Sequence, residues 1–159
     1  MTAFFPTLFS CIVYYIVNFN DGVVNFFTFI LITILISLTA TFMGIFIGTL
    51  VPSLSVAIDI APVIFVPFLL FSGYTTNSDN IIAPLKAIEY ISPIRYGFEY
   101  FVRNEFEDYE EVLGKSNPIE TLNFELTMLK LFFILLGYCL GLAFLSLIAL
   151  KLNTKRLKN

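Results

Sequence analysis

The sequence contains no histidine and no tryptophan, and only 13% of its 159 residues are charged. Without histidine there is no ready proton shuttle and no imidazole metal ligand. Two cysteines, Cys11 and Cys139, both lie inside apolar runs. Two isolated thiols make neither a zinc site nor a disulfide framework, so both read as small core hydrophobes. The phosphate-cradling pattern GxxxxGK[ST] is absent, as are HExxH, CxxC and GxSxG. The paired acids Glu107-Asp108 and Glu110-Glu111 stand in a charge run that reads as a solvated face. No basic patch of the kind nucleic acid needs is present. Covalent catalysis by this chain alone is therefore not expected.

What is present is apolar. Hydrophobic residues make up 58% of the chain, with nineteen Phe and eight Tyr, and the mean hydropathy is +0.87. Soluble domains sit at about 45–50% apolar and about 25% charged. A domain of this size cannot hide so much apolar surface from water. Disorder is excluded by the same composition. The expected class is an all-α, polytopic integral membrane protein whose first partner is the lipid bilayer.

A spanning helix needs about 20 mostly apolar residues to cross ~30 Å of hydrocarbon. Four segments meet that length: 1–20, 23–51, 53–76 and 126–150. The first lacks the basic leader of a signal peptide and ends at the turn-forming Asn18–Gly22. The second is uncharged. Thr33, Ser37, Thr41, Gly44 and Gly48 share one of its faces, and Gly44 and Gly48 form a GxxxG pair. Gly137 and Gly141 form another in the last span. Small residues let helix backbones approach closely in lipid, within one chain or between subunits. The third segment has Ser53 or Ser55 as its cap and is interrupted by Pro62 and Pro67, which bend a helix. It also carries Asp59 about six residues inside its start. That acid is either a possible intramembrane polar site or a group at headgroup level.

The long connection 77–125 divides in two. Residues 83–104 are too polar to span and read as a re-entrant or interfacial helix pair. Pro84 and Pro93 suit first turns, and Ser92 suits the cap of the second helix. Arg95, Glu99 and Arg103 are spaced for pairing along one face. Residues 105–125 are acidic and read as a solvated loop. Four bases and no acid follow in the tail 151–159. The positive-inside rule places such a cluster in the cytoplasm and the long loop outside.

The run Phe65–Gly73, then Asn77, then Ile91-Ser-Pro-Ile-Arg-Tyr-Gly-Phe98 and Asn104-Glu-Phe106 resembles the G (White) subfamily of ATP-binding cassette half-transporters. The resemblance implies an ABC-2 type membrane domain whose helices three to six are the four segments above. It also implies a preceding nucleotide-binding domain that holds ATP and magnesium. The chain itself then needs no cofactor and is the C-terminal part of a half-transporter. Its partners are another half-transporter, in a homo- or heterodimer, and an amphipathic small molecule, with no nucleic acid. The host is the plasma membrane or an internal membrane. By resemblance, Pro62, Val66 and Leu69 line the translocation cavity, and Tyr74 and Thr75 stand at the exit gate. Pro62 and Thr75 depart from the residues expected there. Lipid, sterol, pigment precursor and xenobiotic all suit such an apolar slot. The alternative is a non-transporting membrane protein that acts by helix–helix interaction with full-length half-transporters.

Overall fold

The computed structural model describes residues 2–19, 22–72, 88, 90–106, 119, 122, 124 and 126–156. The helices that lie wholly within them are α1 (Phe4–Val17), α2 (Val23–Leu50), α3 (Leu54–Leu70), α4 (Pro93–Phe106) and α5 (Met128–Arg156). No strand occurs among the described residues.

Helix α1 stops where Asn18 turns left-handed, at φ 57°, and sends its N–H back to the Tyr14 carbonyl. Asn accepts that conformation more readily than most residues. The chain reverses, and α1 runs back along α2. Buried Tyr14 meets Phe26 and Phe29 edge-on, with ring centroids 5.1 and 5.5 Å apart.

Helices α2 and α5 form the largest contact. They run in the same direction. At one end Asn153 Nδ2 donates to the Thr49 carbonyl over 3.1 Å, and at the other α4 touches the beginnings of both. The core between them holds Ile32 and Leu35 of α2, Tyr96 and Tyr100 of α4, and Leu131, Leu135 and Cys139 of α5. Hydroxyls within α2 are returned to its own backbone. Thr33, Thr39 and Thr41 each donate to the carbonyl four residues back, at 2.7–2.8 Å. In a medium without water such back-bonding satisfies the hydroxyl.

Among the described residues, only α2 and the Met128–Thr154 stretch of α5 are helices long and apolar enough to cross a membrane, with mean hydropathy 2.5 over the best window of each. Neither behaves as a soluble core helix, because Phe27, Phe133, Phe144 and Leu147 all point outward. Exposed apolar surface on that scale belongs in lipid or against a partner. The other two expected spans are shorter as helices. The 14 residues of α1 rise about 21 Å and the 17 of α3 about 26 Å, both under ~30 Å. The expected third span thus ends early: α3 stops at Leu70, and Phe71 and Ser72 turn back onto Pro67 and Leu69 carbonyls. The basic tail differs too. Helix α5 continues through Lys151 to Arg156, so the tail begins as helix rather than after it.

Helix α4 is the second member of the expected re-entrant pair. It ends at Phe106, two residues beyond the predicted limit, and most of the first member lies outside the described residues. Its depth is set by contacts. A Cβ on Gly97 would strike Ile36 Cδ1, a residue about 20 Å along α2. From there α4 climbs to the start of α5. It therefore packs against the upper half of α2 and the start of α5 at once.

Candidate functional site

Helix α4 carries a polar cluster into an otherwise apolar bundle. Glu99 is only 1% exposed. Its Oε1 accepts the backbone N–H of Leu126 over 3.0 Å, two residues before α5 begins. A carboxylate there also complements the positive N-terminal end of the α5 dipole. One turn on, Arg103 Nε lies 3.8 Å from the same Oε1, and its guanidinium donates to the Phe124 carbonyl at 2.7 Å. One turn back, buried Arg95 lays its guanidinium over the Tyr90 ring, 4.7 Å from the centroid. The predicted triad spacing thus produces the Glu99–Arg103 pair, with Arg95 engaging an aromatic face.

The same helix also grips α2 and α3. Asn104 Oδ1 accepts from Thr28 Oγ1 at 2.8 Å, and Asn104 Nδ2 donates to the Asn25 carbonyl at 3.2 Å. Ser92, immediately before α4, donates its hydroxyl to the Phe68 carbonyl near the end of α3, at 3.1 Å. The hydroxyls of Tyr96 and Tyr138 both donate to the Tyr90 carbonyl, at 2.7 and 3.3 Å. The segment 105–125 is not solvated throughout. Phe124 is buried, edge-on to Phe98 at 6.0 Å.

Helix α3 is built differently. Ser53 caps it, accepting from Val56 N at 3.5 Å. None of its residues is buried. Asp59, Pro62, Val66 and Leu69 fall within an arc of about 80° at ~100° per residue, and all four are exposed. The structure thus puts the three predicted cavity residues and Asp59 on one face that the described residues leave uncovered. Tyr74 and Thr75 lie outside the described residues.

Among the described residues nothing packs against the GxxxG glycines. Around Gly44, Gly48, Gly137 and Gly141 a Cβ would meet nothing within 4 Å. Among the described residues these ridges face outward. Gly137 and Gly141 floor an open groove of about 380 Å³, walled by Ile134, Tyr138, Leu142 and Leu145.

The long apolar α2 and α5 agree with what sequence comparison finds. Residues 1–106 match the profile of the ABC-2 type transporter family. The chain belongs to that family. It is 30% identical to Protein white of Drosophila melanogaster over 164 aligned positions, covering 95% of this chain and 24% of that protein. It is 29% identical to ABC transporter G family member 1 of Dictyostelium discoideum, over 94% of this chain and 21% of that protein. A third relative is the broad substrate specificity ATP-binding cassette transporter ABCG2 of Mus musculus, 34% identical over 65% of this chain and 16% of that protein. The chain spans about a quarter or less of the length of these relatives. As an ABC-2 family member with these helices, it is an integral membrane protein.

Sequence reasoning found Arg95, Glu99 and Arg103 but missed two partners. The Thr28–Asn104 bond joins residues 76 positions apart, and no periodicity reports such a pairing. Ser92 was legible as a cap, but not as a donor to α3.

Proposed function

We propose that this chain forms part of the translocation path of an ATP-driven exporter of lipids, sterols or other amphipathic molecules, working as a dimer. The observation that carries the reading is α3. Pro62 and Pro67 lie inside it and each removes a backbone N–H, and the described residues leave the Asp59–Leu69 face open. Interrupted helices at membrane depth are tolerated where they line a cavity or are covered by other protein. A second copy supplies that cover and encloses a slot between two such faces. Val66 and Leu69 give the slot bulk without charge. Helix α4 acts as the fixed frame, bonded to α2, α3 and α5 at once. ATP hydrolysis belongs to a nucleotide-binding domain, as no phosphate-cradling sequence occurs here. The basic end of α5 faces the cytoplasm and α4 the outside.

Efflux of a fluorescent amphipathic dye from cells producing the transporter tests this. Val66→Trp, on the slot, is expected to cut efflux at least tenfold. Phe133→Trp, on the outward side of α5, is expected to leave it within twofold. The reverse order overturns the assignment. A second reading is favoured by the uncovered glycine ridges: a non-transporting chain that associates with full-length half-transporters. It predicts co-purification with such a partner and reduced partner transport on co-expression.

A further inference from the structure

Building on α3 as a wall of the path, we propose that Asp59 selects amphipathic substrates that carry a positive charge, protonated amines above all. Asp59 is the only charged residue of α3. It sits five residues beyond Leu54, roughly 8 Å along the helix. That is past the first turn, where a carboxylate would serve merely to complement the helix dipole. It is exposed, and among the described residues no side chain or backbone group donates to its carboxylate. Lys151, exposed on α5 at the same end of the bundle, forms no ion pair with it among those residues.

The surrounding backbone adds acceptors and no donors. Pro62 has no N–H, so the Ile58 carbonyl, next to Asp59, lacks its donor four residues on. Pro67 does the same for the Val63 carbonyl. Ser55 is the only other polar side chain in α3. The strip is thus rich in acceptors and bounded by Val63, Val66 and Leu69. A ligand that fits needs an apolar body and a cationic N–H head. Placing a neutral apolar molecule there would strip water from the carboxylate without replacing it, which is costly. An ammonium replaces that water with a charge-assisted hydrogen bond. One carboxylate is too small a ligand set for a divalent cation, which takes six or more oxygens.

The test uses the transporter in nanodiscs of zwitterionic phosphatidylcholine, so that lipid charge plays no part. Two probes are compared by fluorescence: a dansyl-labelled alkylamine and the matching dansyl alkyl alcohol. The expected result is at least tenfold tighter binding of the amine. D59N brings the amine-to-alcohol ratio to about one, and D59E retains most of the preference. V66W weakens both probes together, which marks the face as the binding wall. A ratio near one in the unmodified protein, or a preference that survives D59N, overturns the role of Asp59 and leaves the wall intact. Binding of both probes unaffected by V66W overturns the wall itself. Failure of both probes to bind overturns both.

Discussion

Glu99 shows how a single side chain can decide whether a membrane bundle closes. Its carboxylate is withdrawn from solvent, yet it holds the backbone leading into α5 and sits beside Arg103. Removing one partner of a buried ion pair costs about 3–5 kcal/mol, because a buried charge is left uncompensated. Glu99→Gln is therefore expected to lower the thermal midpoint in detergent sharply and to reduce the amount of folded protein. Arg103→Lys keeps a cation near the pair and should cost much less. Equal effects of the two would contradict the assignment. Ser10 is the opposite case. It is fully buried in α1, and its hydroxyl has no hydrogen-bond partner among the described residues. Ser10→Ala removes an unsatisfied group, so a midpoint unchanged or raised, by up to about 1 kcal/mol of stability, is expected. At this scale the i, i+4 spacing of Arg95, Glu99 and Arg103 was readable in the sequence. The Leu126 N–H that Glu99 accepts was not, because it is 27 residues away and a backbone group leaves no mark in composition.

Among the elements, α3 and α4 contrast. Helix α4 is fastened on three sides, and Gly97 allows its close approach to Ile36. Gly97→Ala meets only the flexible tip of Ile36 and should shift stability by under ~1 kcal/mol, the more so as Ala favours helix. Gly97→Leu cannot be accommodated at that depth and should lower the midpoint by ~2 kcal/mol or more, as overpacking does. Helix α3 is the loosely held element. Pro67→Ala restores an N–H for the Val63 carbonyl and removes a ring clash, a gain of up to ~3 kcal/mol of helix stability. A raised midpoint with reduced dye efflux is the expected pair of results. Existence and type of these helices followed from apolar runs and turn residues: Asn18 ended α1, and Ser53, one of the two caps the sequence offers, opened α3. Helix lengths followed less well. The apolar run continues past Leu70, yet the chain turns at Phe71, and hydropathy does not distinguish a turned apolar residue from a helical one. The tail differs the other way, because Lys151, Leu152, Lys155 and Arg156 are good helix formers despite the charges among them.

The whole molecule exposes more apolar surface than one chain can cover. The outward glycine ridges and the open α3 face are separate surfaces with separate uses. Gly137→Leu fills the groove on α5 without touching the core, so the fold should persist while association through that ridge is lost. Co-purification of two differently tagged copies reads that difference. The most direct test of the central claim concerns the α3 face. Single cysteines are placed from Ile58 to Leu70 in a Cys11→Ala, Cys139→Ala background, and labelled in membranes with a charged, water-soluble thiol reagent. The account predicts labelling with helical periodicity, strongest at positions 59, 62, 66 and 69 and weak at 60, 64 and 68. Uniform protection, or a maximum on the 60–64–68 side, would contradict it.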